Sequence, residues 1–240
     1  MLELGSPTAY LVRPEARLTG ALSTRNCYAR IVATARELLI AHPGSSFTVQ
    51  DIADATGLSR RAVYNHFPNP EALYRATLRD LLGELGDMVE VDLPREAHPE
   101  QAIQDFACFA TALLSSDINL LIWAAIIRDD GAEDWLAAAY ARLVRQPLVR
   151  SLEIYLLHRR IRDDLPRLDP ERAAEQLVGM IEAASVTPSL LKTGHQSSPA
   201  AREAEILFIV ASFINAHLAP REAVPSAKVM PLPLGAVAHR

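Results

Sequence analysis

The chain has 240 residues, 50% hydrophobic and 22% charged, with a formal net charge of −5 at pH 7. This is the profile of a soluble globular protein that can bury a sizeable core, as one large domain or two small ones. No membrane-spanning helix is expected, because the apolar runs at 119–127 and 206–214 fall well short of the roughly 20 residues a bilayer requires.

In the first twenty residues, Pro7, Arg13, Glu15 and Arg17 interrupt any apolar block, so no secretory leader is expected. The two cysteines, Cys27 and Cys108, are too few for a disulfide framework, and the expected compartment is the cytoplasm. Residues 1–23 mix Pro, Gly and Ser with isolated apolar residues and read as a flexible arm. A first helix is expected over 24–41, with Tyr28, Ile31, Ala35, Leu38 and Leu39 on one stripe, stopping before Pro43-Gly44. Thr48 caps a short second helix, with Asp51 at the third position completing a capping box. Gly57 supplies the left-handed residue that ends it, and Ser59 caps a third helix running to about Phe67. Asn69, Pro70 and Glu71 open a fourth that continues to about 91.

After the break marked by Pro94 and Pro99, helices are expected over 99–115, 118–128, 133–164, 170–191 and 200–218. Pro147 should kink or split the longest, since it removes a backbone donor and clashes with the preceding turn. Residues 220–240, with Pro220, Pro225, Pro231 and Pro233, read as a flexible Pro-rich tail. No run of alternating β-branched residues appears, so the expected fold class is all-α.

Charge is distributed unevenly. Residues 24–80 carry seven Arg against five Asp and Glu, an excess of +2, whereas 81–220 carry twelve Lys and Arg against twenty-one, a deficit of −9. One segment is therefore suited to meet a polyanion and the other is not. The stretch VQDIADATGLSRRAVYNHF at 49–67 has the form of two short helices joined by a Gly turn, a helix-turn-helix whose second helix can lie in the major groove. Ala53 is small where the helices would cross, and Ile52, Leu58 and Val63 point to a shared core. Arg60, Arg61, Tyr64, Asn65 and His66 are left for other faces. Arginine can fork onto guanine or phosphate, an Asn amide can pair with adenine, and Tyr and His can bond phosphate oxygens. The helix N-termini at Thr48 and Ser59 offer backbone donors to phosphates. The alternative is a small helical core with a solvated polar face.

From Thr24 to about Asp80 the chain resembles the TetR family of transcriptional regulators, on the stretch FTVQDIADATGLSRRAVYNHF followed by PNPEALY. Tyr64, His66 and Phe67 stand where that family ends its recognition helix, and Glu71, Ala72 and Leu73 where it opens the next. Arg61 and Ala62 replace the family's frequent Gly-Thr, and Pro70 replaces a usual Lys. The resemblance implies an N-terminal three-helix helix-turn-helix DNA-binding domain at 24–80. It also implies a C-terminal helical ligand-binding and dimerisation domain at 81–219, working as a homodimer on a palindromic operator in double-stranded DNA.

On that reading, helices over 99–164 enclose a pocket for a small-molecule effector, with Phe106, Phe109, Leu113, Trp123, Ile127, Trp135, Tyr140 and Tyr155 as candidate lining residues. Ordinary core is the alternative for each. Few polar groups share these stripes, so an apolar or aromatic effector is expected. The segment ILFIVASFI at 206–214 is apolar nearly all round and needs cover on two sides. Leu177, Met180, Ile181, Ala184, Phe208, Ile209 and Phe213 are the expected dimer contacts, a buried helix in a monomer being the alternative.

Asp129, Asp130, Glu133 and Asp134 flank Gly131 and read as a solvated acidic turn rather than a cation site. No two histidines are spaced at three or four, so no metal is expected, and no cofactor motif is present. Cys27 and Cys108 read as inert buried thiols in apolar stripes, a redox sensor being the alternative. Without a nucleophile elbow, a phosphate-cradling loop or paired carboxylates, an enzyme is not expected. The expected function is a ligand-responsive transcriptional regulator, acting as a repressor. The alternative is a binding or protein-interaction module in which the helix pair is only a scaffold.

Overall fold

The computed structural model describes residues 15–42, 47–89, 92–128, 135–163, 168–190 and 199–218, without the side chains at 15–25, 189 and 199. Ten α-helices follow in order among these residues: α1 (Glu15–Ala41), α2 (Val49–Thr56), α3 (Arg60–His66), α4 (Pro70–Asp87), α5 (Pro99–Leu114), α6 (Asp117–Arg128), α7 (Trp135–Tyr140), α8 (Gln146–Arg162), α9 (Pro170–Leu190) and α10 (Pro199–His217). No strand occurs among the described residues, and no single helix there is long and apolar enough to cross a membrane. The expected acidic turn at 129–134, the start of the arm and the tail at 220–240 lie outside the described residues.

Two boundaries differ from expectation. Helix α1 begins at Glu15, not Thr24, because most of the Pro, Gly and Ser that made 1–23 read as an arm precede Glu15, and the Glu, Ala, Arg and Leu of 15–22 carry the helix past Thr19 and Gly20. Helix α4 stops at Asp87, short of 91, where the Val89 N–H bonds the Gly86 carbonyl in a tighter turn.

Helices α1, α2 and α3 close on a small core made of Ile31, Val32, Ala35, Val49, Ile52, Ala53, Val63 and Phe67, to which α4 adds Leu73. Local bonds fix their ends. The Thr48 hydroxyl accepts from the Asp51 N–H while Asp51 Oδ2 accepts from the Thr48 N–H at 2.7 Å, the reciprocal arrangement expected of a capping box. The Thr48 N–H first and the Thr48 hydroxyl second, both donating to Asp51 Oδ2, hold the Asp51 carboxyl below the usual carboxylate range. Gly57 closes α2 with φ of 67°, and its N–H bonds the Ala53 carbonyl. Arg30 also reaches across from α1 to the Thr56 carbonyl at 2.9 Å. Since a Cβ at Gly57 would meet nothing within 4 Å, Gly57→Ala is expected to act through backbone strain alone. It should cost about 1–2 kcal/mol, read as a lower midpoint in urea denaturation; an unchanged midpoint would contradict this.

The larger core is built from Leu39 of α1 together with residues from α4 to α10. Helix α4 belongs to both, with Leu73 in the small core and Leu78, Leu81, Leu82 and Leu85 in the large one. Between them the buried Thr77 hydroxyl donates to the Leu73 carbonyl at 2.8 Å, so this polar group is satisfied where the cores meet. Arg36 of α1 pairs with Asp80 and Glu84 of α4, tying the two helices along their length.

Pro147 neither breaks the long helix nor ends it in a loop. A π-helical turn at Ala141–Arg145 joins α7 to α8 immediately before it, a local widening that accommodates the lost donor to the Leu143 carbonyl. The turn packs on α4 at Gly86, where an added Cβ would lie 3.3 Å from Leu143 Cβ. Only a glycine allows that approach without a shift.

Candidate nucleic-acid interface

Helix α3 is anchored by a single buried residue, Val63, and closed at its end by buried Phe67. At its start the Ser59 hydroxyl accepts from the Ala62 N–H at 3.1 Å. With Val63 facing inward, the helical period turns Arg61 and Asn65 to the opposite side and Tyr64 to the flank, while Arg60 stands clear of the core at the first turn, and all four are exposed. Their guanidinium, phenol and amide groups share one short, convex element whose opposite side is locked into the core. His66 is half-buried at the end of the helix, in edge contact with Tyr28 of α1 at 6.5 Å between centroids.

Tyr28 itself is a correction. Its place in the stripe with Ile31 and Ala35 reads as core, yet it is 45% exposed, lying against Phe67 at 5.0 Å and flanking the end of α3. It is a phenol at the rim of the candidate interface that sequence periodicity assigned to the interior. The outward partner that would have flagged it, His66, is distant in sequence. Thr48 is held as its expected pairing with Asp51 requires: its hydroxyl also donates to Asp51 Oδ2 at 2.8 Å. What stays open there is the helix N-terminus rather than a spare hydroxyl. At α4, the Asn69 amide oxygen accepts from the Ala72 N–H at 2.7 Å and Pro70 occupies the first turn.

Two family models match the chain: that of bacterial regulatory proteins of the tetR family over 31–77, and the C-terminal domain of AefR-like transcriptional repressors over 101–218. The chain belongs to the TetR family of transcriptional regulators. It is a DNA-binding regulator by that membership. The HTH-type transcriptional regulator BetI of Rhizobium meliloti is 28% identical over 179 residues, covering 71% of this chain and 79% of BetI. A TetR-family regulator of known structure from Mesorhizobium loti superposes with a TM-score of 0.61 at 20% identity, covering 80% of this chain and 97% of that one. FadR from Bacillus subtilis, in complex with stearoyl-CoA, does so at 0.55 and 17% identity, covering 78% and 99%. These structural likenesses carry the all-α TetR fold.

In this TetR-family chain the residues named for an effector pocket do not converge on one site. Phe106, Leu113 and Tyr155 are buried core residues, and the Tyr155 hydroxyl donates to the Ala97 carbonyl at 3.3 Å. Phe109 packs half-buried against the same core. Trp135 lies beneath the Arg79 guanidinium at 4.9 Å and lines a small space of about 170 Å3 with Tyr74 and Leu78 of α4. Trp123 and Ile127, in contrast, line an open cavity of about 370 Å3 between α6 and α9, with Glu182, Ala183, Val186, Thr187 and Leu190. Buried Tyr140 stands behind Trp123, its ring edge-on at 5.5 Å. Burial pushes the Tyr140 hydroxyl up, with Trp123 and Asn119 close enough to oppose the shift. Glu182, the carboxylate among the cavity's described lining residues, escaped sequence reasoning because a lone Glu on a helix is ordinarily solvated.

The residues named for dimerisation divide likewise. Leu177, Ile181, Ile209 and Phe213 turn into the chain's own core, Met180 and Ala184 are half-buried, and Phe208 stands 71% exposed. An all-apolar helix gives no sequence signal for which side its own fold will cover. Here the outward side of α10 carries Ala204, Leu207, Phe208, Ala211 and Asn215. The outward side of α9 carries Gln176, Ala183 and Thr187, with half-buried Gly179.

Proposed function

We propose that this TetR-family chain is a cytoplasmic, homodimeric repressor that holds a palindromic operator through α3 and leaves it when a small apolar or aromatic molecule occupies the second domain. The supporting observation is the division of α3 into a buried anchor at Val63 and an outward set of Arg60, Arg61, Tyr64 and Asn65. In the proposed complex Arg61 forks onto a base edge, Arg60 meets base or phosphate, and Asn65 reads a base. Tyr64, His66 and the N-termini at Thr48 and Ser59 hold the backbone, with Tyr28 beside them. The proposed dimer buries the outward sides of α9 and α10, where an exposed phenylalanine among small residues allows two helix pairs to approach closely into a four-helix bundle. An effector can shift the operator equilibrium only by its difference in affinity for the two states of the dimer.

The test is selection of bound duplexes from a random-sequence pool at near-physiological salt, followed by anisotropy on the enriched sequence across a salt series. A palindromic product is expected, with log affinity falling linearly in log salt at a slope of about −0.9 per phosphate neutralised. Failure of a folded protein to enrich any sequence would overturn the reading.

A further inference from the structure

The contacts that hold α4 differ in how readily they yield. Its pairing with α1 runs through the partly exposed side chains of Arg36, Asp80 and Glu84, which follow a small displacement at little cost. At Gly86 no side chain intervenes. A Cβ there would lie 3.3 Å from Leu143 Cβ and 3.4 Å from the Leu143 carbonyl oxygen. Both atoms belong to the frame of the π turn rather than to the tip of a flexible side chain, so added bulk must move one element against the other.

Pro147 explains why Leu143 stands there. A proline offers no N–H to the carbonyl four residues earlier, and its ring presses on that carbonyl, which here is that of Leu143. The chain answers with a bond from the Gln146 N–H to the Ala141 carbonyl, five residues back. This wider turn, of a kind frequent at functional sites, is the one that rests on α4. Gly86 in turn lies about 20 Å along the helix from Leu73, where α4 enters the small core of the reading head. A shift at one end of so stiff an element is carried to the other.

We propose that Gly86 and the π turn imposed by Pro147 are specificity-determining positions for the operator, although both lie outside the candidate interface: their contact sets the bearing of α4, and with it the placement of the two α3 helices of a dimer relative to each other. The assignment rests on the dimeric, palindromic reading above. Each α3 keeps its own core and its own outward set, so a single half-site is read as before. A palindrome engages both heads at once and demands the parental placement. The free chain relieves an added Cβ at Gly86 by letting α4 shift. Binding the palindrome reimposes the clash, and the overpacking cost appears in binding rather than in folding.

Anisotropy on the selected palindrome and on a duplex carrying one half-site, both at the same low salt, tests this with three variants of the full chain. Gly86→Ala should weaken the palindrome about tenfold, the order of an overpacking penalty, and leave the half-site unchanged. Its urea midpoint should not fall, since alanine is the better helix former. Gly83→Ala, whose Cβ meets nothing within 4 Å on the same helix, should match the parent on both duplexes. Pro147→Ala returns the missing N–H and frees Leu143 to move, so it too should weaken the palindrome alone. Combined with Gly86→Ala it should cost less than the two losses added, as expected of positions that act through one contact. Pro147→Ala carries the test should Gly86→Ala fail to fold. Parental palindrome affinity in both Gly86→Ala and Pro147→Ala, an equal loss on palindrome and half-site, or the same loss from Gly83→Ala would sink the assignment. A parent chain that selects no palindrome fells the functional reading along with it, whereas variants that all bind a selected palindrome alike fell this inference alone.

Discussion

Ile52→Ala is expected to abolish operator binding while leaving the larger part of the molecule folded. Ile52 is fully buried where α2 meets α1 and α3, in a core made of a small set of side chains. Truncating such a residue removes its transfer free energy and leaves a cavity, together about 2–5 kcal/mol. A core this small has few other contacts over which to spread the loss. The leucines of α4 from Leu78 onward and all of α5 to α10 pack elsewhere, so the damage should be local. Hydrogen exchange gives the readout: amides of α2 and α3 should lose protection, while those of α5 and α9 keep theirs. Unchanged protection across α2 and α3 would show that the small core tolerates the void.

Arg61→Ala carries the second large effect, on binding rather than folding. Arg61 is exposed on α3 and makes no hydrogen bond or ion pair with the other described residues, so removing it should leave stability within the small range typical of surface changes. A bidentate contact to a base is worth about 1–3 kcal/mol of operator affinity, with relaxed preference at that base pair. Arg61→Lys separates this from a phosphate contact, since an ammonium preserves charge but not the planar fork. If the contact is to a base, lysine should recover little of the affinity. If it is to phosphate, lysine should recover most of it, and alanine should flatten the salt slope by about one ion. Operator binding by Arg61→Ala equal to that of the parent chain would remove Arg61 from the interface.

What could be read in the sequence is what local chemistry determines. Thr48 with Asp51, Gly57, Ser59 and Asn69 each settle a helix end through bonds to backbone within a few residues, so their roles are visible without knowing the fold. The outward set on α3 follows from the same logic, because Val63 fixes the phase of a short helix. Features created by distant packing were not visible. Tyr28 occupies a core stripe by period but meets the end of α3 at the surface. Pro147 announces a disturbance, whereas its resolution as a π turn depends on the neighbouring backbone at Gly86. The α6–α9 cavity unites Trp123 and Glu182 from separate helices. Its carboxylate could be recognised as unusual only once its burial was known.

Helix α4 begins in one core and ends in the other, cross-braced to α1 by Arg36 and bedded on the π turn at Gly86. The reading head is therefore not tethered by a pliable strap but mounted on a stiff shaft shared with the body. A tethered head could swing to suit operators of many layouts. In a dimer of this chain, a shaft-mounted pair would act as a caliper with a set opening, judging the distance and helical phase between half-sites as strictly as the bases within them.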